Sequence, residues 1–413
     1  MQPKKRFLAR KIHQLMDLFP VVAVVGARQC GKSTLVRMLY PDWHYYDLER
    51  PDDFDLITGD PLGFFSRREG QTIIDEAQVF PELFNVLRGV IDRDREVTGR
   101  YLLTGSSSPR IVRGMCETLA GRIATVELAP FKAAELHELP FPAVYDRLAD
   151  RPTNIADLAT TEVSLDPNEV YEHWLRGGYP EPRIKSASHP EFFGLWMDAY
   201  FNDFVQRDIR ELFPRINRHR FRMMIQSLAF QSGTTMNKSA ISRALEISSV
   251  TVGEYLEILH DTFVWRNLRS FERNALKRVQ KAPRGFFRDC GLLHYLLKIG
   301  DVDSLLVHPT AGPSFESFLI EEIIRGFECT SQPGLEFHYY RTRDRSEIDL
   351  VVEGHFGLIP IEIKLGHRLK RGALKALTSF LSDTGSPLGL VVNNTEKIEL
   401  LRDNIVQIPA VYV

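Results

Sequence analysis

The stretch from residue 21 to residue 40 constrains this chain more than any other. Val21–Val25 is a β-branched run bounded by glycine, as expected for a strand buried on both faces. The next eight residues, 26–33, read Gly-Ala-Arg-Gln-Cys-Gly-Lys-Ser, and residues 34–40 have the pattern of a helix. Glycines at this spacing let backbone N–H groups turn toward a phosphate at the start of the helix, so the segment predicts a phosphate-binding loop.

The loop predicts that the chain binds ATP together with Mg²⁺. Lys32 is expected to reach the β- and γ-phosphates, and the Ser33 hydroxyl is expected to ligate the metal. The residues predicted to contact the nucleotide are Gly26, Ala27, Arg28, Gln29, Cys30, Gly31, Lys32, Ser33 and Thr34.

A pair of carboxylates follows a second β-run. Residues 72–74 are Thr-Ile-Ile, and Asp75 and Glu76 come directly after them. We expect Asp75 to hold the Mg²⁺ through water and Glu76 to polarise the attacking water as a general base. Because a kinase-like protein with such a loop is not expected to need the second acid, the pair favours hydrolysis over passive binding.

Two further polar residues are candidates for the reaction. Thr104 follows the strand at residues 101–103, at a position that commonly places the water or senses the γ-phosphate, with Ser106 as second choice. The alternative is an ordinary Ser/Gly loop. Arg122 is a candidate finger acting across a subunit interface, which predicts a homo-oligomer; an ordinary surface arginine is the alternative.

Residues 237–271 have the rhythm of a winged helix-turn-helix. The second helix exposes Glu254 and Glu257 and no basic residue, which argues against direct base reading because carboxylates repel phosphate. A basic strip follows, and it predicts DNA as a partner through phosphate contacts. A solvated face or a docking surface is the alternative. The strip consists of Arg266, Arg269, Arg273, Lys277, Arg278, Lys281 and Arg284.

The C-terminal region carries a second set of carboxylates. Residues 347–352 and 359–364 read as strands of a hairpin, with Asp349 on the first strand and Glu362 and Lys364 on the second. Alternation places Glu362 and Lys364 on one face, as in the D…E-x-K arrangement of restriction-type nucleases. Asp349 and Glu362 could share Mg²⁺, Lys364 could orient the water, and Glu316 from the preceding helix could complete the site. Whether the region cleaves nucleic acid or only binds a partner stays open.

Charge and cysteine usage bound the setting of the protein. The formal net charge is −2, so a nucleic-acid contact has to be a local patch. The four cysteines form no Cys-x-x-Cys pair, which favours a reducing compartment. The sequence shows no signal peptide and no run of roughly 18 apolar residues, so we expect a cytoplasmic protein without a membrane span.

Together these motifs resemble a prokaryotic family of AAA+-superfamily ATPases with a C-terminal domain of unknown function, DUF4143. The resemblance covers nearly the whole chain and includes Gly-Gly-Tyr-Pro at 177–180, Arg-Asp-Ile at 207–209 and Asp-Cys-Gly-Leu at 289–292. Two departures are Ser33, where the family favours threonine, and Cys290, where Asp-Thr-Gly is more usual. The resemblance implies an ATPase fused to a winged helix and a nuclease-like domain.

The predicted fold is α/β in three parts. Residues 1–150 form a three-layer AAA+-like P-loop ATPase domain, residues 165–295 a helical and winged-helix domain, and residues 305–413 a restriction-endonuclease-like domain. The leading function is ATP hydrolysis coupled to DNA binding or processing. An ATP-dependent nuclease and a nucleotide-dependent protein-binding switch are the alternatives.

Overall fold

The computed structural model describes residues 3–67, 70–106, 117–150, 165–272, 281–342, 346–367 and 371–413. Two compact units divide the chain: residues 1–131 with 258–264, and residues 132–257 with 265–413. The three domains predicted from the sequence stay predictions, because these units divide the chain at other positions. Among the described helices, none is long and apolar enough to cross a membrane.

The first unit is built on a parallel sheet of five strands. In chain order its elements are α1 (Leu8–Met16), β1 (Val21–Val25), α2 (Lys32–Leu39), β2 (His44–Asp47), α3 (Pro51–Gly59), α4 (Pro61–Arg67), β3 (Thr72–Asp75), α5 (Leu83–Ile91), β4 (Tyr101–Gly105) and β5 (Ile123–Glu127). The strand order is β2-β3-β4-β1-β5. Strand β4 therefore lies between β1 and β3.

Burial on both faces explains why these strands form. All residues of β1, β3 and β4 are buried, which matches their apolar, β-branched sequences. On one face, α3, α4 and α5 supply a core that includes Ile57, Phe64, Leu83, Leu87 and Ile91. The carboxyl ends of β1, β3 and β4 meet at one edge of this sheet, where polar residues follow the strands.

Helices open the second unit. They are α6 (Ala133–Leu136), α7 (Ala143–Asp150), α8 (Pro167–Arg176), α9 (Pro180–Lys185), α10 (Phe192–Asp203), α11 (Ile209–Leu212) and α12 (Arg218–Ala229). A π-helical turn at Phe204–Asp208 joins α10 to α11, so residues 192–212 form one helical segment with an interruption.

Three helices and three short strands follow. They are β6 (Thr234–Thr235), α13 (Lys238–Leu245), α14 (Ser249–Asp261), β7 (Trp265–Ser270) and β8 (Arg284–Phe287), and then α15 (Cys290–Leu297). Strand β8 pairs antiparallel with both β6 and β7. Helices α12, α13 and α14 followed by this hairpin have the element order expected for a winged helix.

The C-terminal elements complete a mixed sheet of nine strands. They are α16 (Val302–Val307), α17 (Ala311–Glu328), β9 (Glu336–Arg341), β10 (Glu347–Gly354), β11 (Gly357–Ile363), α18 (Arg371–Thr384), β12 (Gly389–Asn393), β13 (Glu399–Arg402) and β14 (Ile405–Pro409). The order is β13-β14-β12-β11-β10-β9-β7-β8-β6. The predicted hairpin is confirmed, since β10 and β11 pair antiparallel with Leu350 opposite Ile361.

Candidate functional site

The glycine-containing loop after β1 wraps around the Lys32 amine. Gly26, Gln29 and Gly31 have φ values of 154°, 62° and 96°, so the backbone turns sharply between β1 and α2. Lys32 is 5% exposed, and its Nζ donates to Gly26 O at 3.1 Å and to Ala27 O at 2.9 Å. The loop thus has the inward-turned form that a phosphate site requires.

Gly26 is fixed by the close approach of the chain after β5. A Cβ at Gly26 would lie 2.0 Å from Leu128 O, so no other residue fits there without moving the backbone. The Cys30 Sγ donates to the same carbonyl at 3.2 Å. Arg6, which the sequence analysis did not single out, donates to Cys30 O at 3.0 Å and to Ala129 O at 2.5 Å. These bonds tie the loop to the end of the sheet.

The acid pair lies at the end of β3, one strand away from β4. Asp75 is 3% exposed and accepts hydrogen bonds from Tyr45 Oη at 2.5 Å and from Thr104 Oγ1. Thr104 Oγ1 also accepts from the Glu76 backbone N–H at 3.1 Å. One hydroxyl therefore links the two acids to β4, at the position that the sequence predicted to be polar.

Glu76 is held in an unusual backbone conformation. Its φ is 52° and ψ is 46°, the left-handed region that non-glycine residues seldom adopt. Its Oε2 accepts from the Ser106 N–H at 3.2 Å, from Ser106 Oγ at 3.0 Å and from Gln78 Nε2 at 2.5 Å. A left-handed residue directly after β3 turns the Glu76 side chain toward the end of β4.

Tyr45 on β2 is a residue that the sequence analysis missed. Burial, and then its hydrogen bond to Asp75, raises the pKa of the Tyr45 phenol well above its usual value, so it stays a donor. Burial also raises the pKa of Asp47, as do the neighbouring Asp75 and Glu76 charges. Residues 44–47 read His-Tyr-Tyr-Asp, and this short pattern does not reveal which strand lies next to them.

This site fits Mg²⁺ with a nucleotide. The partners that the structure gives Asp75 are both hydroxyls, and a neutral donor leaves the negative charge of the carboxylate for a cation. Ser33 is the second residue of α2, so its hydroxyl lies at the helix start, where it would hold a phosphate-bound metal.

Arg122 is engaged within its own unit. Its Nε and Nη2 donate to the two carboxylate oxygens of Asp92 at 2.7 and 2.9 Å, and its Nη1 donates to Ala120 O at 2.9 Å. Asp92 follows α5, so the pair joins the end of that helix to the start of β5. A role across a subunit interface requires the guanidinium to leave Asp92.

The predicted C-terminal residues do come together, in the second unit. Lys364 Nζ lies 3.2 Å from Glu316 Oε1, 3.1 Å from Asp349 Oδ2 and 3.0 Å from Glu362 Oε1. We call Glu316, Asp349 and Glu362 the carboxylate cluster. Helix α17 and strands β10 and β11 supply one carboxylate each, as the sequence predicted.

A second cation enters the carboxylate cluster from β8. Arg284 Nη1 donates to Asp349 Oδ1 at 2.9 Å, and Arg284 Nη2 donates to Glu316 Oε2. Arg284 was expected on a DNA-contacting strip, and the structure places it here instead. Both Asp349 oxygens therefore accept hydrogen bonds from cationic side chains.

The pKa values at the carboxylate cluster reflect burial and charge. Burial, and then the neighbouring Asp349, raises the pKa of Glu362 to about 8. Burial and Asp349 also raise the pKa of Glu316. Burial opposes ionisation of Asp349, yet the Arg284 and Lys364 cations prevail and lower its pKa. Asp349 is therefore the ionised centre of the cluster.

The rest of the basic strip is largely engaged where the structure describes it. Arg266 Nε and Nη2 donate to Glu321, which is 2% exposed, and Lys281 pairs with Glu272. Arg269 on β7 is exposed. Arg273, Lys277 and Arg278 lie outside the described residues. The described part of the strip is thus not a continuous free basic surface.

One further cluster was not predicted. Glu336 and Glu353 face each other across β9 and β10, and each carboxylate lies 3.3 Å from His338 Nε2. Like charges at opposed strand positions are unfavourable, and the His338 imidazole lies between the two carboxylates.

The strand order, with β4 between the strand of the phosphate loop and the strand of the acid pair, defines an AAA-type P-loop protein. Family models agree with that class: an AAA domain (AAA_14) matches residues 18–137, and domains of unknown function match residues 167–303 (DUF8612) and 311–412 (DUF4143). The chain belongs to the family of AAA-domain proteins that carry a C-terminal DUF4143 domain. The AAA fold implies ATP binding.

Curated relatives and solved structures were also compared with the chain. It is 33% identical over 353 residues to the uncharacterized protein Rv2008c of Mycobacterium tuberculosis and equally to Mb2031c of Mycobacterium bovis, over 85% of this chain and 71% of each relative. The Walker-type ATPase PabY2304 of Pyrococcus abyssi aligns with a TM-score of 0.45 at 15% identity, over 72% of this chain and 99% of that one. The Orc1 protein of Aeropyrum pernix in complex with DNA aligns with a TM-score of 0.31 at 14% identity, over 74% and 95%.

Proposed function

We propose that this protein is a Mg²⁺-dependent ATPase. The observation that carries the proposal is the hydroxyl of Thr104, which binds Asp75 and the Glu76 N–H together at the edge of the sheet where the phosphate loop begins. A metal-binding acid and a second acid held side by side provide what hydrolysis needs beyond nucleotide binding.

Each residue of the site has a proposed part. The loop N–H groups and Lys32 bind phosphate oxygens, and Ser33 and Asp75 hold Mg²⁺. Mg²⁺ bound there would offset negative charge on the phosphates. Glu76 accepts the proton of the attacking water. To bind that water, its carboxylate gives up a hydrogen bond from Ser106 or Gln78.

Two variants test this assignment in the purified protein. Lys32→Ala should abolish ATP binding or lower the ATP turnover rate by at least about 100-fold, because it removes a preorganised charge from the phosphate site. Glu76→Gln should keep ATP binding and lose turnover to a similar extent. The matched controls Lys5→Ala and Glu82→Gln change exposed residues of the same unit and should behave like wild type. Turnover retained in Lys32→Ala would overturn the assignment.

We further propose that ATP turnover is coupled to DNA. Helices α12, α13 and α14 followed by the β7–β8 hairpin are arranged in the order of a winged helix. The connection between β7 and β8 contains Arg273, Lys277 and Arg278, and Arg269 on β7 is exposed. Basic residues at a wing suit contacts with the phosphate backbone, and such contacts carry affinity without reading sequence.

The test is the steady-state ATPase rate with and without single- and double-stranded DNA at low and moderate salt. Stimulation that fades with salt is expected, since phosphate contacts release counterions. Arg269→Ala should weaken the stimulation and leave the rate without DNA unchanged. A rate indifferent to DNA, with no detectable binding, would contradict the coupling and leave the ATPase proposal standing.

A protein-binding switch is the second candidate, and the surface of α14 favours it. Glu254 and Glu257 are exposed there, and Val250 near the helix start is 70% exposed. An acidic surface with an exposed apolar side chain suits a protein partner better than a phosphate backbone. Glu254→Lys distinguishes the candidates, because it should strengthen DNA binding at a DNA interface and leave the DNA affinity unchanged otherwise.

The proposal keeps Arg122 as a candidate finger in a homo-oligomer. Asp92→Asn removes the carboxylate that holds the guanidinium. If Arg122 acts across an interface, Arg122→Ala lowers turnover and Asp92→Asn does not; a structural pair makes both variants less stable and equally active.

A further inference from the structure

The carboxylate cluster has two cationic side chains inside it. Lys364 comes from the end of β11, next to the acids, and belongs to the predicted arrangement. Arg284 comes from β8, far from the cluster in sequence, and the local pattern of residues 347–364 does not predict it as a partner. Its contacts decide what the cluster can bind.

Arg284 uses its whole guanidinium. Nη1 and Nη2 donate to Asp349 and Glu316, and Nε donates to Gly233 O at 2.7 Å. The side chain is 12% exposed. A planar fork that binds two carboxylates at once acts as a bridge between them, and an arginine side chain does not lose its charge in a protein.

Both oxygens of Asp349 already accept hydrogen bonds. Its Oδ1 accepts from Arg284 at 2.9 Å, and its Oδ2 accepts from Lys364 Nζ at 3.1 Å and from the Ile363 N–H at 2.9 Å. Mg²⁺ needs its oxygen ligands at about 2.0–2.1 Å, with little tolerance in their arrangement. A metal bridging Asp349 and Glu316 would occupy the space that the guanidinium fills.

One oxygen of the cluster remains. Glu362 Oε2 is buried and accepts no hydrogen bond from the described residues. A single oxygen does not make a metal site, since Mg²⁺ is bound through several oxygen ligands. Charge leads to the same conclusion: a site for a divalent cation needs excess negative charge, and two cationic side chains already face the three carboxylates.

We propose that Arg284 takes the place of a divalent cation in the carboxylate cluster, so that the cluster is a metal-free clamp that fastens β8 to β10, β11 and α17. The clamp supports no metal-dependent cleavage. It also fastens the first residue of β8 to the C-terminal strands.

Thermal unfolding in EDTA tests the clamp, because a clamp and an empty metal site predict opposite shifts of the unfolding midpoint for Asp349→Asn. In an empty metal site, Asp349→Asn removes repulsion between carboxylates and raises the unfolding midpoint. In a clamp, the same change leaves the buried Arg284 without its partner and lowers the midpoint, by about 5 °C or more. Glu316→Gln repeats the test with Asp349 in place, and Glu399→Gln, an exposed change in the same sheet, is the control. A higher midpoint for both cluster variants overturns the proposal.

Binding of Mn²⁺ to the nucleotide-free protein, followed by the loss of the free-ion spin resonance signal, gives the second measurement. Arg284→Met should gain one site that wild type lacks, tighter by at least tenfold than any wild-type site, and Arg284→Met with Asp349→Asn should lose it again. An Asp349-dependent Mn²⁺ site already present in wild type would show that the metal displaces Arg284. No gained site in a folded Arg284→Met protein would show that Arg284 is not what excludes the metal.

Discussion

The Thr104 hydroxyl contacts both acids of the candidate site, which an ordinary loop residue at a strand end would not do. Its hydroxyl donates to Asp75 and accepts from the Glu76 N–H at 3.1 Å, so it fixes the relative positions of both acids. Asp75 has a second hydroxyl donor in Tyr45, which donates from the opposite neighbouring strand. The two hydroxyls differ in one respect, because only Thr104 also contacts Glu76.

This difference predicts unequal effects of two substitutions. Thr104→Val keeps the shape and removes the hydroxyl, so we expect about a 10- to 100-fold lower kcat with the ATP dissociation constant changed less than about threefold. Tyr45→Phe should lower kcat less, since Glu76 keeps its contact. Thr104→Ser should restore most of the rate. Equal losses in Tyr45→Phe and Thr104→Val would assign both hydroxyls to Asp75 alone.

At this scale the sequence predicted the residues whose neighbours are local. The glycine spacing around Lys32 and the acid pair after β3 are contained in short segments, so their pattern identifies them. Tyr45 and Arg284 were not predicted as partners, because their contacts join strands that are distant in sequence. Such contacts depend on the order of strands in the sheet, which local periodicity does not determine.

Helix packing in the second unit depends on a buried histidine. His294 on α15 lies 2.9 Å from Leu175 O on α8 through Nδ1 and 2.7 Å from Ser314 Oγ on α17 through Nε2. Since a carbonyl only accepts, Nδ1 carries the proton and Nε2 accepts from the Ser314 hydroxyl. Ser314 in turn accepts from Trp174 Nε1 at 3.0 Å. The neutral imidazole thus connects three helices.

This arrangement predicts a loss of stability in mild acid. Burial lowers the pKa of His294 from 6.5 to about 4, so the group contributes stability above pH 6.5 that is lost as pH falls toward 4. The full effect is roughly 3 kcal/mol. His294→Gln should flatten the fall in unfolding midpoint between pH 7 and pH 4.5, and His189→Gln, an exposed change, should not. An unchanged pH profile in His294→Gln would mean that other groups dominate.

At the scale of secondary-structure elements, one strand pairing of the large sheet was predicted from the sequence and another was not. Strands β10 and β11 alternate clearly and are joined by a short turn, so their hairpin was predicted and is confirmed. The parallel pairing of β7 with β9 was not predicted, although it joins the winged-helix-like elements and the C-terminal strands in one sheet. A parallel pair between distant segments leaves no local signal beyond the two short strands themselves.

At the scale of the whole molecule, the first boundary between the two units bears on where the chain can be divided. The N-terminal segment of the first unit ends at Phe131, and Lys132 belongs to the second unit. Lys132 is 2% exposed; its Nζ donates to Tyr145 Oη at 3.1 Å and lies 3.7 Å from Glu322 Oε2. Tyr145 packs on Phe327 with ring centroids 5.5 Å apart. Helices α6 and α7 are therefore part of the second unit, although the sequence suggested a first domain that ends at residue 150.

The position of this boundary predicts which fragments of the chain are stable. A fragment of residues 132–413 keeps Lys132, Tyr145 and the Ala133 N–H that donates to Glu322 Oε2 at 3.2 Å, so it should unfold at a higher midpoint than a fragment without them. A fragment of residues 165–413 loses all three and leaves a buried Glu322 with fewer partners, which should cost about 3–5 kcal/mol.

Thermal unfolding of both fragments measures this difference, and Lys132→Met in the full chain separates the ion pair from the loss of α6 and α7. Lys132→Met should lower the midpoint of the second unit, while Lys185→Met, an exposed change in the same unit, should not. If residues 165–413 unfold at the same midpoint as residues 132–413, Lys132 and Tyr145 contribute nothing to that unit and the predicted boundary at residue 150 is the better division. A lower midpoint for the shorter fragment places α6 and α7 in the second unit, because the buried Glu322 then needs the partners that residues 132–145 supply.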